Sequence, residues 1–173
     1  MNSSPLFDQH VWLGTFSFSN VFSKVSQKEA ENIVNLFFEN KWQYVETAPV
    51  YPINTVNLGS ILAHYKRSSY FLATKCVTWS KSWEKVRSGK RDFILNQVLA
   101  ETKRLGVGYI DLVQSHSIPD DVNLKELAVN LQYLKDNNLT RYIWVSNVDV
   151  HSLKVMSDRC DISFVQNRFS LIH

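Results

Sequence analysis

The chain has 173 residues, of which 45% are hydrophobic, and its formal net charge is +3. This length and composition suit a single domain with its own core, and so small a charge gives no reason to predict a nucleic-acid partner. The N-terminal residues lack the pattern of a secretory signal, and no apolar run approaches the ~20 residues of a membrane-spanning helix. We therefore expect a cytoplasmic protein that is not embedded in a membrane.

Short runs rich in aromatic and β-branched residues predict buried strands, and amphipathic stretches between them predict helices. In chain order the predicted elements are strand 10–15, helix 26–40, strand 43–47, helix 54–66, strand 70–77, helix 91–105, strand 109–115, helix 123–136, strand 141–146, helix 149–158 and strand 162–166. Ser26 and Glu29 have the spacing of a capping box, and Asn123 is a candidate helix cap.

The regular alternation of strands and helices predicts a parallel sheet covered by helices. Such a sheet is either open and doubly wound or part of a (β/α) barrel, which has eight units in its complete form. No glycine-rich phosphate loop follows the first strand, which disfavours the open sheet. We therefore predict one α/β domain over 1–173, of the (β/α) TIM-barrel type, with about six of the eight units present.

Polar side chains stand at or just after the ends of the predicted strands, where the chemistry of a (β/α) barrel is placed. They are Glu46, Tyr51, Lys75, His116, Ser146, Asn147 and Gln166. A lysine close to Tyr51 would favour the phenolate and lower the tyrosine pKa, and Glu46 would hold the ammonium in place. His116 would orient a substrate oxygen. Ser146, Asn147 and Gln166 would bind an amide-like group.

Simpler explanations stay open for each of these residues. Lys75 and Glu46 also suit a structural ion pair, and Tyr51 suits a packing residue. Ser146 and Asn147 also suit the N-terminal cap of a helix that begins near residue 148. Cys76 and Cys160 lack the spacing of a metal site, so we expect buried free thiols and no bound metal.

Several motifs, in their order along the chain, resemble those of the aldo-keto reductases. They are LGT at 13–15, VETAPVY at 45–51 with LG at 58–59, ATK at 73–75, LAETKRLGVGYIDLVQSH at 99–116, RYIWVSN at 141–147 and VQNRFSL at 165–171. The resemblance implies reversible hydride transfer between NADPH, less often NADH, and a small-molecule aldehyde or ketone.

The resemblance also implies a role for each candidate residue. Tyr51 would be the proton donor, Glu46 and Lys75 would tune it, and His116 would position the carbonyl. The nicotinamide carboxamide would be held by Ser146, Asn147 and Gln166.

The chain departs from the family pattern in ways that keep other functions open. Glu46 replaces the usual aspartate, Trp144 replaces a glycine, and Val148 replaces an aromatic residue. By this resemblance we expect barrel units 7 and 8 to be missing from these 173 residues. Either the residues are part of a longer protein, or a partner, a C-terminal complement or a second copy covers the exposed sheet edges, or the barrel mouth no longer serves hydride transfer.

The alternative to a reductase is therefore a catalytically inactive regulatory or interaction protein of the same fold. A Schiff base on Lys75, as in class I aldolases, is a third hypothesis. Trp79 and Trp83 are candidates either for the wall of a substrate pocket or for packing of their loop.

Overall fold

Among the residues that the structure describes, six parallel strands form one sheet, and their order in the sheet follows their order along the chain. The computed structural model describes residues 11–51, 56–77, 88–116, 118, 122–168 and 170. The strands are β1 (Trp12–Gly14), β2 (Tyr44–Glu46), β3 (Phe71–Cys76), β4 (Ile110–Ser115), β5 (Thr140–Ser146) and β6 (Ile162–Gln166). Every neighbouring pair is parallel. The predicted strands are confirmed, with bounds that differ by no more than two residues.

Helices connect successive strands from β1 to β6, as a parallel sheet requires. They are α1 (Gln27–Glu39), α2 (Leu58–Leu62), α3 (Arg91–Leu105), α4 (Leu124–Asp136) and α5 (Val150–Ser157). The short 3-10 helices Thr15–Ser19 and Arg67–Ser69 were not predicted. Helix α2 is also shorter than the predicted 54–66. The Tyr65 ring lies 4.3 Å from that of Phe38, so the residues after α2 pack on α1 instead of continuing the helix.

The helix caps agree with the sequence pattern at α1 and α4 and differ at α5. Ser26 and Glu29 form the predicted capping box, and the Asn123 side chain accepts from the first turn of α4. The alternative in which Ser146 and Asn147 cap α5 is wrong, because Asp149 accepts a hydrogen bond from the backbone N–H of Ser152 and is the cap.

The main apolar core lies between the outer face of the sheet and the helices. Strands contribute alternate residues, which point to one face of a sheet, and the helices contribute their apolar stripes. Fully buried examples are Val45, Leu72, Val113 and Val145 from the strands and Val34, Ile61, Val98 and Leu131 from the helices.

The inner face of the sheet carries a cluster of aromatic rings that we call the inner aromatic layer. It consists of Trp12, Tyr44, Phe71, Tyr142, Trp144 and Phe164. The Trp12 ring, on β1, lies 5.6 Å from the Trp144 ring, on β5. Since β1 and β5 are separated by three strands in the sheet, this contact requires the sheet to curl, as in a barrel. The predicted fold class, an incomplete (β/α) barrel, is confirmed.

The structure also tests the predictions for the cysteines and for membrane-spanning helices. Both cysteines are free and buried, and burial raises the pKa of the Cys76 and Cys160 thiols to about 12. Within the described part of the chain, no helix has the length and apolar character needed to cross a membrane. Trp79 and Trp83 lie outside the described residues.

Candidate active site

The side chains of Glu46, Tyr51 and Lys75 meet at the C-terminal edge of the sheet. Glu46 ends β2, and Lys75 is the last residue but one of the neighbouring β3. The Lys75 ammonium forms an ion pair with the Glu46 carboxylate and donates to the phenolic oxygen of Tyr51 at 2.9 Å. The Tyr51 hydroxyl donates to Oε1 of Glu46 at 3.3 Å. The structure therefore joins these three residues in a closed triangle of hydrogen bonds.

Burial controls the acidity of Tyr51. The loss of solvent raises the pKa of its phenol above the usual value, and this effect outweighs the lowering by Lys75. The charge and the hydrogen bond of Glu46 raise the pKa as well. Lys75 acts in the direction expected from the sequence, but the expected net lowering is wrong. At neutral pH the phenol keeps its proton, as a proton donor must.

His116 lies at the same edge of the sheet. It follows β4 directly, and its backbone N–H donates to the carbonyl oxygen of Cys76 at 3.0 Å, which extends the pairing between β3 and β4 by one step. Its side chain is half-buried. The backbone therefore holds His116 just beyond the strand that carries Lys75.

Ser146 and Gln166 are joined by Gln114, which the sequence reasoning did not select. The Gln114 amide nitrogen contacts the Ser146 hydroxyl and donates to Oε1 of Gln166 at 2.7 Å. Ser146 ends β5 and pairs in register with Gln166, which ends β6. Two of the three predicted amide-binding residues therefore belong to one hydrogen-bond network.

The chain leaves the sheet at Asn147, directly after the Ser146 of this network. Its backbone has the left-handed conformation, with φ of 52°, and its N–H donates to the Gln166 carbonyl oxygen at 3.0 Å. Asn167 then bridges back to the residue after Asn147. Its amide accepts from the N–H of Val148 at 3.0 Å and donates to the carbonyl of Val148 at 2.9 Å. These backbone contacts fix the turn, and the Asn147 side chain is exposed.

Aromatic rings surround the triangle and the network. The Phe16 ring, in the 3-10 helix after β1, packs edge-on against Tyr51 with centroids 5.1 Å apart. The Trp144 indole lies between Trp12 and Phe164 in the inner aromatic layer, two residues before Ser146. The site therefore has an apolar wall beside the phenol and an aromatic floor below the amide network. Among the described residues, no group of three or more His, Cys, Asp or Glu side chains is arranged to hold a metal ion.

The fold and the site together define a class of protein. A curled parallel sheet places a partly buried tyrosine, a lysine and a carboxylate in contact at its C-terminal edge, where barrel enzymes carry their reactive groups. A family model described as the aldo/keto reductase family matches residues 10–173. The chain belongs to the aldo/keto reductase family.

Individual relatives extend this comparison. The chain is 26% identical to the aldo-keto reductase YhdN of Bacillus subtilis over 165 residues, which covers 93% of the chain and 50% of YhdN. It is 26% identical to the NADH-specific methylglyoxal reductase of Escherichia coli over 143 residues, covering 74% of the chain and 44% of that protein. The chain thus spans half the length of these curated relatives or less.

Solved structures of the family share the fold. The glycerol dehydrogenase AKR11B4 from Gluconobacter oxydans superposes with a TM-score of 0.81 at 24% sequence identity, covering 99% of the chain and 55% of the dehydrogenase. At this identity the similarity establishes the fold alone.

Proposed function

We propose that the protein is a carbonyl reductase that uses NADPH to convert an aldehyde or ketone into an alcohol. Tyr51 is the proton donor, Lys75 and Glu46 set its protonation and orientation, and His116 positions the carbonyl oxygen. In the reducing direction the carbonyl carbon gains a hydride and the oxygen gains the phenolic proton, which leaves an alcohol. NADPH supplies the hydride when it is bound.

The observation that carries this proposal is the contact between Lys75 and Tyr51. An ammonium 2.9 Å from the phenolic oxygen stabilises the negative charge that appears as the proton leaves. Burial keeps the phenol protonated beforehand, because it raises the pKa of Tyr51. Burial therefore keeps the proton on Tyr51 before the reaction, and Lys75 helps Tyr51 to release it during the reaction.

The residues at the ends of β5 and β6 fit the carboxamide of a nicotinamide ring. A carboxamide needs hydrogen-bond donors for its oxygen and acceptors for its nitrogen. The Asn147 and Gln166 side chains are exposed at the mouth and carry both kinds of group, and Ser146 adds a hydroxyl. These three residues would hold the carboxamide beside Tyr51.

Replacement of the phenol by a phenyl ring tests the proposal. We expect Tyr51→Phe to lower turnover with NADPH and a panel of aldehydes by about 100-fold or more, because a general acid contributes about that factor. Tyr65→Phe is the matched control, since Tyr65 bonds Asn35 outside the site and its loss leaves the triangle intact. Turnover that survives in Tyr51→Phe at the level of the control would show that another group donates the proton.

A catalytically inactive relative is the second candidate, and one contact favours it. The Tyr51 hydroxyl directs its proton toward the Glu46 carboxylate, with 3.3 Å between the two oxygen atoms. If the protein is a regulatory or interaction protein, the Tyr51→Phe variant should bind the partner with the same affinity as the unmodified protein. NADPH binding can be measured by the quenching of tryptophan fluorescence. A folded sample that does not bind NADPH in this assay would favour the inactive relative over the reductase.

The Schiff-base hypothesis loses support from the same geometry. The Lys75 nitrogen forms an ion pair with Glu46, and an ammonium without a free electron pair does not attack a carbonyl. Borohydride trapping with simple aldehydes would leave Lys75 unmodified if this reasoning holds.

A further inference from the structure

Glu101 on α3 is a buried carboxylate that lies outside the candidate active site. Only 2% of its surface is exposed. Arg104, one turn later on the same helix, donates to both of its oxygens, from Nε at 2.8 Å and from Nη2 at 2.7 Å. The Thr74 hydroxyl donates to Oε2 of Glu101 at 3.3 Å. This pair of charges therefore faces the sheet and contacts β3.

The same pair of charges reaches the end of β2. Nη2 of Arg104 donates to the Thr47 hydroxyl oxygen at 3.3 Å. Thr47 directly follows Glu46. Thr74 directly precedes Lys75, and both threonines are fully buried. Since successive residues of a strand point to opposite faces, the threonines lie on the helix-covered face and the charged residues of the triangle on the inner face. We call this chain of contacts, formed by Thr47, Arg104, Glu101 and Thr74, the α3 bridge.

Backbone pairing between β2 and β3 ends before Lys75 within the described part of the chain. The register ends where Glu46 pairs with Ala73. The Thr47 N–H then donates to the Ala73 carbonyl oxygen at 2.9 Å. Lys75 lies two residues farther along β3. The α3 bridge therefore joins the two strands at the point where Lys75 must reach Tyr51.

A buried ion pair suits a geometric role better than a purely stabilising one. The removal of two charges from water costs free energy that their attraction often fails to return in full, so apolar side chains would stabilise α3 at least as well. The planar guanidinium instead offers donors in fixed directions, two toward the carboxylate of Glu101 and one toward the hydroxyl of Thr47. Such a network sets the distance between the groups that it binds.

We propose that the α3 bridge is a positioning device, in which Glu101 and Arg104 set the separation of the two strand ends. This separation holds the Lys75 ammonium against the Tyr51 phenol. The inference rests on the proposed function, in which Lys75 stabilises the phenolate as the proton leaves. Glu101 and Arg104 act through the threonines, from the opposite face of the sheet.

Removal of one hydroxyl from the bridge tests this role. Thr47→Val keeps a branched side chain and removes the oxygen that Arg104 binds, and water can replace that oxygen because the Arg104 side chain is 32% exposed. We expect kcat with NADPH and an aldehyde to fall about fivefold, because a small misplacement of Lys75 weakens its contact with the phenol. The alkaline limb of the rate profile should move to higher pH, because Lys75 lowers the pKa of Tyr51 and a weaker contact lets that pKa rise.

Two companion variants grade the effect. Thr47→Ser keeps the hydroxyl and should restore most of the turnover and the original alkaline limb. In Glu101→Gln the side chain keeps one oxygen, so Thr74 and Arg104 compete for a single acceptor. We expect its kcat to fall about tenfold, with the alkaline limb again at higher pH.

A matched control and a second readout separate positioning from simple stability. Thr140→Val makes the same change at the N-terminal end of β5, where the Thr140 hydroxyl donates to the Asp111 carbonyl oxygen at 3.2 Å, and it should leave kcat and the alkaline limb unchanged. The ionisation of Tyr51 can be followed without turnover, from the ultraviolet difference between Thr47→Val and Thr47→Val/Tyr51→Phe. The pKa of Tyr51 should be higher in Thr47→Val than in the unmodified protein.

The outcomes distinguish the inference from the function on which it rests. An unmoved Tyr51 ionisation in a folded Thr47→Val variant overturns the inference and leaves the proposed function standing. A fall in kcat that Thr140→Val matches, without a move of the alkaline limb, also overturns it in favour of a loss of stability. Absence of turnover in the unmodified protein overturns the proposed function. The Tyr51 ionisation then decides the position of Lys75 by itself: a higher pKa supports the bridge and an unmoved one overturns it.

Discussion

Shortening Glu46 by one methylene should make the candidate proton donor more active. The Glu46 carboxylate accepts from Tyr51 at 3.3 Å and also pairs with Lys75. In Glu46→Asp the carboxylate withdraws by about 1.5 Å, the length of one carbon–carbon bond. The bond from Tyr51 is already long and breaks, whereas the ion pair between Lys75 and the carboxylate persists at a longer distance while Lys75 keeps its bond to Tyr51. The phenolic proton is then free to point at a substrate.

The size of this effect follows from the bond that is lost. A hydrogen bond to a charged group contributes about 1.5 kcal/mol, so its release should raise kcat about tenfold. The pKa of Tyr51 should fall at the same time, since both the charge and the hydrogen bond of Glu46 raise it. A proton donor is lost as the pH rises through its pKa, so the alkaline limb of the rate profile should move to lower pH.

Steady-state kinetics across a pH series measure both effects in one experiment. Glu39→Asp, at the exposed end of α1, is the matched control and should change neither kcat nor the alkaline limb. The ionisation of Tyr51 can also be followed without turnover, from the ultraviolet difference between Glu46→Asp and Glu46→Asp/Tyr51→Phe. A kcat that stays constant or falls, with an unmoved alkaline limb, would refute the view that Glu46 diverts the proton.

Three further predictions concern stability and are measured by urea unfolding. Asp111→Ala should lower the free energy of unfolding by about 3 kcal/mol, because it leaves the Arg67 guanidinium and the Leu72 N–H without their buried acceptor; a loss below 1 kcal/mol would show that solvent replaces the carboxylate. Gly59→Ala should cost about 2 kcal/mol, since an added Cβ would lie 2.8 Å from a backbone oxygen of α3; an unchanged midpoint would mean that α2 and α3 separate easily. Ser26→Ala should cost about 1 kcal/mol through loss of the α1 cap, and Ser26→Thr, which keeps the hydroxyl, should cost less.

The strands were predictable because each carries a short β-branched or aromatic run, and a parallel sheet buries nearly the whole of such a run. The length of α2 was not predictable, because it depends on the contact of Tyr65 with Phe38 on another helix. Local periodicity carries no information about such a contact. The 3-10 helix after β1 was not predicted either, because its five residues show no helical period of apolar side chains.

The candidate site was predictable where its residues end a strand. Glu46, Lys75 and Ser146 occupy such positions, and parallel strands bring their ends to one edge. The net acidity of Tyr51 was not predictable, because it depends on how deeply the folded chain buries the phenol. Gln114 was missed because it lies inside a strand that otherwise suits the core. A signal was present, since alternation along β4 puts Gln114 on the same face as His116.

The register of the sheet explains why the polar network and the aromatic floor belong together. Lys75, Gln114 and Trp144 occupy one row across β3, β4 and β5, so their side chains share the inner face about one strand spacing apart. The Lys75 end of this row meets Tyr51, and the Trp144 end packs against Phe164. The Trp144 ring therefore flanks Gln114 on the side opposite to Lys75. Loss of that ring should loosen the amide network first, because the Glu46–Lys75–Tyr51 triangle has its own three contacts.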